Sequence, residues 1–294
     1  MLKSQIKKVV IIAYNFVITL FVNLKMRIWR LIEDIPRTGS FNMAADQVLL
    51  ENYSQDTNPV FRIYDWECTT LSLGRNEILD NLIDLDVCGR LEIPIVRRST
   101  GGKAVLHGFD LTYSIVGGVL DQHFSGGVLD NYRYLAKGFY AFFKKLGLNP
   151  VLKAIDRQKK KSDSHICFAD PAVYEILVEG RKIIGNAQRV RNLRSSHSSS
   201  CRVFLQHGSI PLKDSIPQII QIFPHAAEDD LRREMHSLET AGVYPGLAQK
   251  KLRQMFLDCL QKTFQLKWKR QFWSVEELKM ISERENSFQN LKIN

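Results

Sequence analysis

Residues 167–190, CFADPAVYEILVEGRKIIGNAQRV, followed after an irregular insert by FLQHGSI at residues 204–210, decide how this chain reads. Tyr174, Ile176 and Val178 alternate with Glu175, Leu177 and Glu179, the period-two pattern of a strand. Glu179-Gly180 suits a tight turn, because glycine takes positive φ at little cost. The chain then returns through Arg181, Lys182 and Ile183 to Gly185. A lysine fixed on a hairpin has a defined direction, which is what a catalytic cation requires.

Working outward, residues 97–118, RRSTGGKAVLHGFDLTYSIVGG, predict a strand, a Gly-Gly turn, a short strand, a second turn at Gly108 and a strand over 111–116. Upstream, the pattern predicts strands at 27–32, 61–64, 69–73 and 93–98, with helices at 40–53 and 79–91. Downstream of the third glycine turn, Leu135, Phe139, Phe142 and Leu146 mark a helix over 131–146. The last 80 residues read as helical: Leu252, Met255, Phe256, Cys259, Leu260 and Phe264 form one stripe, and Ser274-x-x-Glu277 opens the final helix as a capping box. Lys159, Lys160 and Lys161 read as a solvated connector, and the Ser-rich 195–200 with His197 as a loop between hairpin strands. Strands and helices in neither regular βαβ order nor all-β order give an α+β fold of mixed, largely antiparallel sheets with flanking helices.

The chain has 294 residues, enough for one large domain with a small appendage. We expect an apolar N-terminal extension at 1–25, a main domain at 26–212 and a helical region packed on it at 213–294. A composition of 45% hydrophobic and 24% charged residues argues against wholesale disorder. The formal charge is +10, of which Lys3, Lys7, Lys8 and Lys25 in the acid-free first 25 residues supply four. A positive surface favours an acidic protein or an anionic ligand, and no RNA-binding signature or interleaved aromatic and basic stripe points to nucleic acid. The five cysteines form no C-x-x-C pair, so neither a zinc ribbon nor a disulfide framework is indicated, and a reducing cytoplasm is the natural compartment. Residues 9–24 are apolar but short for a membrane span and carry Asn15, Thr19 and Asn23. Met26 begins MRIWRLIEDIP, which reads like a fresh start; the alternative is a weak N-terminal anchor with membrane contact.

Among candidate site residues, Gly101-Gly102 lets backbone N–H groups approach a ligand, and the flanking arginines suit a carboxylate or phosphate. Lys103-Ala104 departs from a phosphate-binding P-loop, and a glycine hairpin with surface arginines is the plain alternative. Cys167 lies on no apolar stripe; an inert thiol is the plain alternative, and a thiol becomes nucleophilic when a neighbouring cation lowers its pKa. Lys182, on the returning arm, is such a cation, and His165 is a second candidate base. Cys68, Cys88 and Cys201 lack such surroundings and read as structural, and Cys259 belongs to a core stripe. His107 and His207 each adjoin a glycine turn, as ligand contacts or as hydrogen-bonding structural histidines. The histidines have no metal-ligand spacing.

RR-x-TGG-x-AVLH followed by LTYS, then EGRKI-x-G-x-AQ and LQHGSI, resemble the biotin/lipoate protein ligase superfamily, over about 26–212. The resemblance implies a catalytic domain like class II synthetase cores and a role in protein lipoylation. Two reactions compete. The cysteine-dependent octanoyltransferase moves octanoate from acyl carrier protein, through a cysteine thioester, to a lysine of a lipoyl domain without a cofactor. Lipoate–protein ligase uses ATP and Mg, which here would engage Arg97, Gly101, Gly102 and Lys182. Cys167-Phe168 ahead of the YEI strand, and Lys103 in place of a third glycine, match the transferase. By resemblance Cys167 is the acylated nucleophile and Lys182 lowers its pKa and orients the acyl carbonyl. Substrate contacts are expected from Arg97, Thr100, Gly101, Gly102, Lys103, Ala104, Val105, His107, Tyr64, Gly185, Asn186, His207 and Gly208, with Tyr64, Val105 and Ile184 lining an acyl slot. Asn186 stands where a serine is common, and residues 190–203 exceed what the family hairpin needs. A non-catalytic acyl- or lipoyl-domain-binding protein is the third reading.

Overall fold

The computed structural model describes residues 27–54, 57–78, 82–118, 124, 128–154, 174–192 and 202–288. The N-terminal extension, Lys159–161, His165, Cys167, Phe168, the Ser-rich segment and Cys201 lie outside the described residues.

Six strands form the central sheet. They are β1 (Arg27–Glu33), β2 (Val60–Tyr64), β6 (Asp110–Gly118), β10 (Gly185–Asn192), β11 (Arg202–Pro211) and β12 (Leu266–Arg270), in the order β10-β11-β6-β2-β1-β12. The β10-β11-β6-β2 half is antiparallel, whereas β2-β1 and β1-β12 are parallel. A second, three-stranded sheet joins β3 (Thr70–Leu73) to β4 (Ile95–Arg97) and β5 (Val105–His107). A third joins β7 (Pro150–Ala154), β8 (Tyr174–Val178) and β9 (Arg181–Lys182). The predicted turn closes β8 onto β9, with φ of 52° at Glu179 and 79° at Gly180. Positive φ at both central residues matches the right-handed twist of a hairpin.

Helices cover both faces of the central sheet. On one face, α3 (Val128–Lys145) and α6 (Gln249–Phe264) bury an aromatic core in which Phe256 meets the rings of Phe61, Tyr113, Phe139 and Phe142 at centroid distances of 5.0–6.0 Å. On the other, α1 (Gly39–Asn52) packs against α7 (Val275–Glu285) through Ala44, Ala45, Val48 and Ile281. The predicted capping box is present: Ser274 Oγ accepts from the Glu277 N–H, and Glu277 accepts from the Ser274 N–H. Three short helices, α2 (Leu85–Arg90), α4 (Ile216–Ile222) and α5 (Glu228–Glu234), complete the chain around the second and third sheets.

The architecture agrees with the expected α+β class and differs in particular elements, among them the unexpected strand β7. Residues 79–81 of the helix expected over 79–91 lie outside the described residues, and from 82 onward the helix runs over Leu85–Arg90, started by Asp84, whose side chain accepts from the Val87 N–H. The tail is not wholly helical: β12 adds a sixth strand beside β1, with Trp268 opposite Trp29. That strand is only five residues long and reads LKWKR, so charged residues on its outer face conceal it among amphipathic helices.

Candidate functional site

The antiparallel half of the central sheet places side chains in rows. Gly185, Ser209, Thr112 and Tyr64 are successive cross-strand partners, and Ala187, His207, Ser114 and Arg62 form the next row on the same face. Over the first row opens a cleft, closed on its sides by Met43, Trp66, Arg98, Val105 and His107. Tyr64, Val105, His107, Gly185, Asn186, His207 and Gly208, all expected as substrate contacts, meet around this cleft.

The polar groups of the second row are tied to α1. Arg62 is fully buried, and a buried charge requires partners. Its guanidinium donates to Asp34 Oδ2 at 2.9 Å, Asn42 Oδ1 at 2.6 Å and Asp46 Oδ1 at 3.1 Å. Asp46 also accepts from Ser114 Oγ (2.8 Å), Tyr64 OH (3.3 Å) and His207 Nδ1 (3.2 Å). Burial pushes the Asp46 carboxyl up, but these hydrogen bonds and the Arg62 charge outweigh it and hold it below the usual range. Burial lowers the His207 pKa, with the Arg98 charge acting in the same direction against the opposing pull of Asp46. His207 is therefore neutral near pH 7, donates through Nδ1 to Asp46, and accepts at Nε2 from the Thr100 hydroxyl at 2.5 Å. This contact anchors the glycine loop to the sheet.

A second relay borders the cleft. Arg98 Nη1 donates to Ser72 Oγ at 2.7 Å, Ser72 lies 2.8 Å from His107 Nε2, and His107 Nδ1 lies 2.7 Å from Asp110 Oδ2. Thr112 and Ser209 also donate to Asp110. Burial raises the Asp110 carboxyl, yet His107 and these hydroxyls bring it below its ordinary value. Trp66 stacks on the His107 ring with centroids 4.0 Å apart and donates its indole N–H to Thr112 at 2.9 Å, so this wall is rigid.

Other expected contacts fall elsewhere. Arg97 donates to the carbonyls of Gly74 (2.8 Å) and Glu77 (2.5 Å), bracing a neighbouring loop. Gly101 and Gly102 are exposed and Lys103 is half-buried. Ala104 packs in the second hydrophobic cluster, and Ile184 is buried in the main core rather than on the cleft. Lys182 lies on β9, three residues before the cleft residue Gly185, and pairs through Nζ with Glu175 Oε1 at 2.7 Å. Burial raises the thiols of Cys88 and Cys259, which suits their reading as structural. Among the described residues no group of three or more His, Cys, Asp and Glu side chains is arranged to hold a metal ion, and no helix is long and apolar enough to cross a membrane.

Asp46, Asp110, Trp66 and Glu175 escaped the sequence reading. A signal existed for two of them: Asn42 and Asp46 are four apart on the otherwise apolar face of a helix, and Asp110 follows His107 by three around a turn.

A family model described as the lipoyl protein ligase A/B catalytic domain matches residues 38–243. A protein from Carboxydothermus hydrogenoformans named Octanoyltransferase LipM is 40% identical over 199 residues, covering 67% of this chain and 70% of that protein. One of the same name from Halalkalibacterium halodurans is 30% identical over 256 residues, covering 82% and 89%. Among solved structures, a bi-partite lipoate protein ligase from Thermoplasma acidophilum superimposes with a TM-score of 0.69 at 16% identity, over 88% of this chain and 92% of that one. A lipoate-protein ligase A bound with ATP gives 0.69 at 16% identity, over 89% and 94%. At such identity the two structures speak for the fold.

Proposed function

Because the chain belongs to the lipoyl protein ligase A/B catalytic-domain family, we propose that it is an acyltransferase of protein lipoylation that moves an octanoyl group to a lysine of a lipoyl domain. The observation that carries this reading is the 30–40% identity, over most of the chain, to proteins named Octanoyltransferase LipM. Acyl carrier protein is the proposed donor, with Cys167 as nucleophile and Lys182 as the cation that activates it.

In the first step the Cys167 thiolate attacks the carbonyl carbon of the donor thioester. A new C–S bond forms, the bond to the carrier's sulfur breaks, and the departing thiolate takes up a proton. In the second step the acceptor lysine, as the free amine, attacks the octanoyl-cysteine. The C–N bond forms, the C–S bond breaks, and the amine's proton leaves with the regenerated thiol. Both steps pass through an oxyanion, which a fixed Lys182 ammonium and backbone N–H groups stabilise. A thioester keeps the acyl group reactive, so the chemistry needs neither ATP nor Mg. The apolar face of the cleft between Tyr64, Trp66, Met43 and Val105 suits an alkyl chain lying across the row from Gly185 to Tyr64. That row spans three inter-strand spacings, about 14 Å, against roughly 9 Å for an extended eight-carbon chain. Acidic carrier and lipoyl domains complement a chain of net charge +10.

The test is transfer from octanoyl-acyl carrier protein to a purified lipoyl domain without ATP. Transfer lost in Cys167→Ala supports the reading. Modification that requires ATP and free lipoate or octanoate, with pyrophosphate release, assigns the ligase reaction instead. No turnover with either donor assigns a binding protein.

A further inference from the structure

We propose that Glu175 is a positioning residue for the transfer, holding the Lys182 ammonium at a fixed place; this rests on the function proposed above. The hairpin register brings the two together. β8 pairs with β9 so that Leu177 lies opposite Lys182, which places Glu175 as the diagonal neighbour on the same face of the ribbon. Glu175 Oε1 lies 2.7 Å from Lys182 Nζ, and both side chains are about nineteen-twentieths buried, with exposures of 6% and 5%.

The backbone of Lys182 is held independently of its side chain. Its carbonyl accepts from the His236 N–H at 2.9 Å, and it bridges in parallel to Met235. His236 is itself fixed, with Nδ1 2.6 Å from Thr240 Oγ1 and Nε2 accepting from Arg181 at 3.1 Å. The turn at Glu179-Gly180 sets the register, and a one-residue slip would send Lys182 to the opposite face. The hairpin therefore fixes where the lysine starts but not where its four-carbon stem ends, since lysine is flexible and its ammonium makes no planar fork. The Glu175 carboxylate constrains that end. It also supplies the charge balance that a buried ammonium requires.

A purely structural ion pair predicts something different. Buried pairs contribute little net stability, and replacing both partners is often neutral. Loss of Glu175 would then alter folding without separating binding from turnover. Acting through Lys182, Glu175 predicts a loss in kcat that depends on Lys182 being present.

The experiment uses the full chain with octanoyl-acyl carrier protein and a lipoyl domain, comparing Glu175→Gln, Glu175→Asp, Lys182→Ala and the Glu175→Gln/Lys182→Ala double variant. Misplacing a catalytic group by about 1 Å costs on the order of 10²-fold, so Glu175→Gln should lower kcat by roughly 10²-fold with KM for the donor within about threefold. Glu175→Asp keeps the charge but shortens the reach by one C–C bond of ~1.5 Å, and should lower kcat roughly tenfold at unchanged melting temperature. In the Lys182→Ala background, Glu175→Gln should change the residual rate by less than about twofold, because interacting sites are not additive. Wild-type kcat in both Glu175 variants beside an inactive Lys182→Ala overturns the inference and leaves the proposed function standing. Equal rate losses from Glu175→Gln with and without Lys182 also overturn it. Wild-type transfer by Lys182→Ala removes the proposed mechanism itself. Should Glu175→Gln fail to fold, the folded Asp variant decides, by a kcat loss or by none.

Discussion

His207→Ala separates the buried network's contribution to stability from its dependence on pH. His207 makes two hydrogen bonds, one to the ionised Asp46 and one from Thr100. A bond to a charged group contributes ~1.5–3 kcal/mol and a neutral one ~0.5–1.5 kcal/mol, so the loss near pH 7.5 is about 2–4 kcal/mol. At roughly 2–4 °C per kcal/mol for a chain of this size, the Tm should fall by about 4–16 °C. The pH sign follows from burial, which lowers the folded-state pKa of His207 below its ordinary 6.5. The unfolded chain therefore binds the proton first, and this stabilisation is complete above about pH 6.5 and declines below it, by at most ~1.4 kcal/mol per pH unit. Asp46, with its lowered carboxyl, stabilises above its ordinary value near 3.8 and loses that contribution only as pH falls through the depressed folded value, below this window. Between about pH 7.5 and pH 5.5 the wild-type Tm should fall toward that of the variant, narrowing the gap by roughly 2–4 °C. Thermal melts of both proteins at both pH values measure this. A gap that stays constant or widens on acidification would show that His207 is not buried neutral.

Two further substitutions test the cleft. A Cβ at Gly208 would sit 2.6 Å from Tyr113 OH, 2.8 Å from the Gly185 carbonyl and closer still to Asn186 Oδ1. Gly208→Ala should therefore separate β10 from β11 and destabilise by about 1–3 kcal/mol, read as a lowered denaturation midpoint; an unchanged midpoint contradicts the packing. Trp66→Ala removes a cleft wall and its stack on His107. It should raise KM for the octanoyl donor by roughly tenfold or more, since burying an apolar side chain is worth ~1.5–3 kcal/mol, and an unchanged KM in steady-state kinetics would place the acyl chain elsewhere.

Local chemistry made the outline of the fold legible. The alternation in YEILV and the Glu179-Gly180 turn are decided by neighbours in sequence, and the structure carries them as β8 and β9. β12 was hidden because its partner is β1, more than 200 residues away, and five residues of LKWKR look no different from a helix face. The site divides in the same way. His107, Gly185, Asn186, His207 and Gly208 stand in recognisable motifs and line one cleft. Asp46 and Arg62 were missed because a buried charge is marked in sequence only by its oddity, and its partners come from three separate elements. Arg97 was read as a ligand contact because sequence cannot separate a guanidinium that meets an anion from one that caps carbonyls, as Arg97 does at Gly74 and Glu77. Arg98, its neighbour, is the one that lines the cleft.

The proposed transfer passes through a covalent octanoyl-cysteine at Cys167, which intact-mass spectrometry detects after incubation with octanoyl-acyl carrier protein. One added octanoyl group is expected, removed by hydroxylamine, discharged on adding a lipoyl domain and lost in Cys167→Ala. Lipoyl-domain modification at the wild-type rate by Cys167→Ala, or an adduct that forms only with ATP and free acid, would contradict it.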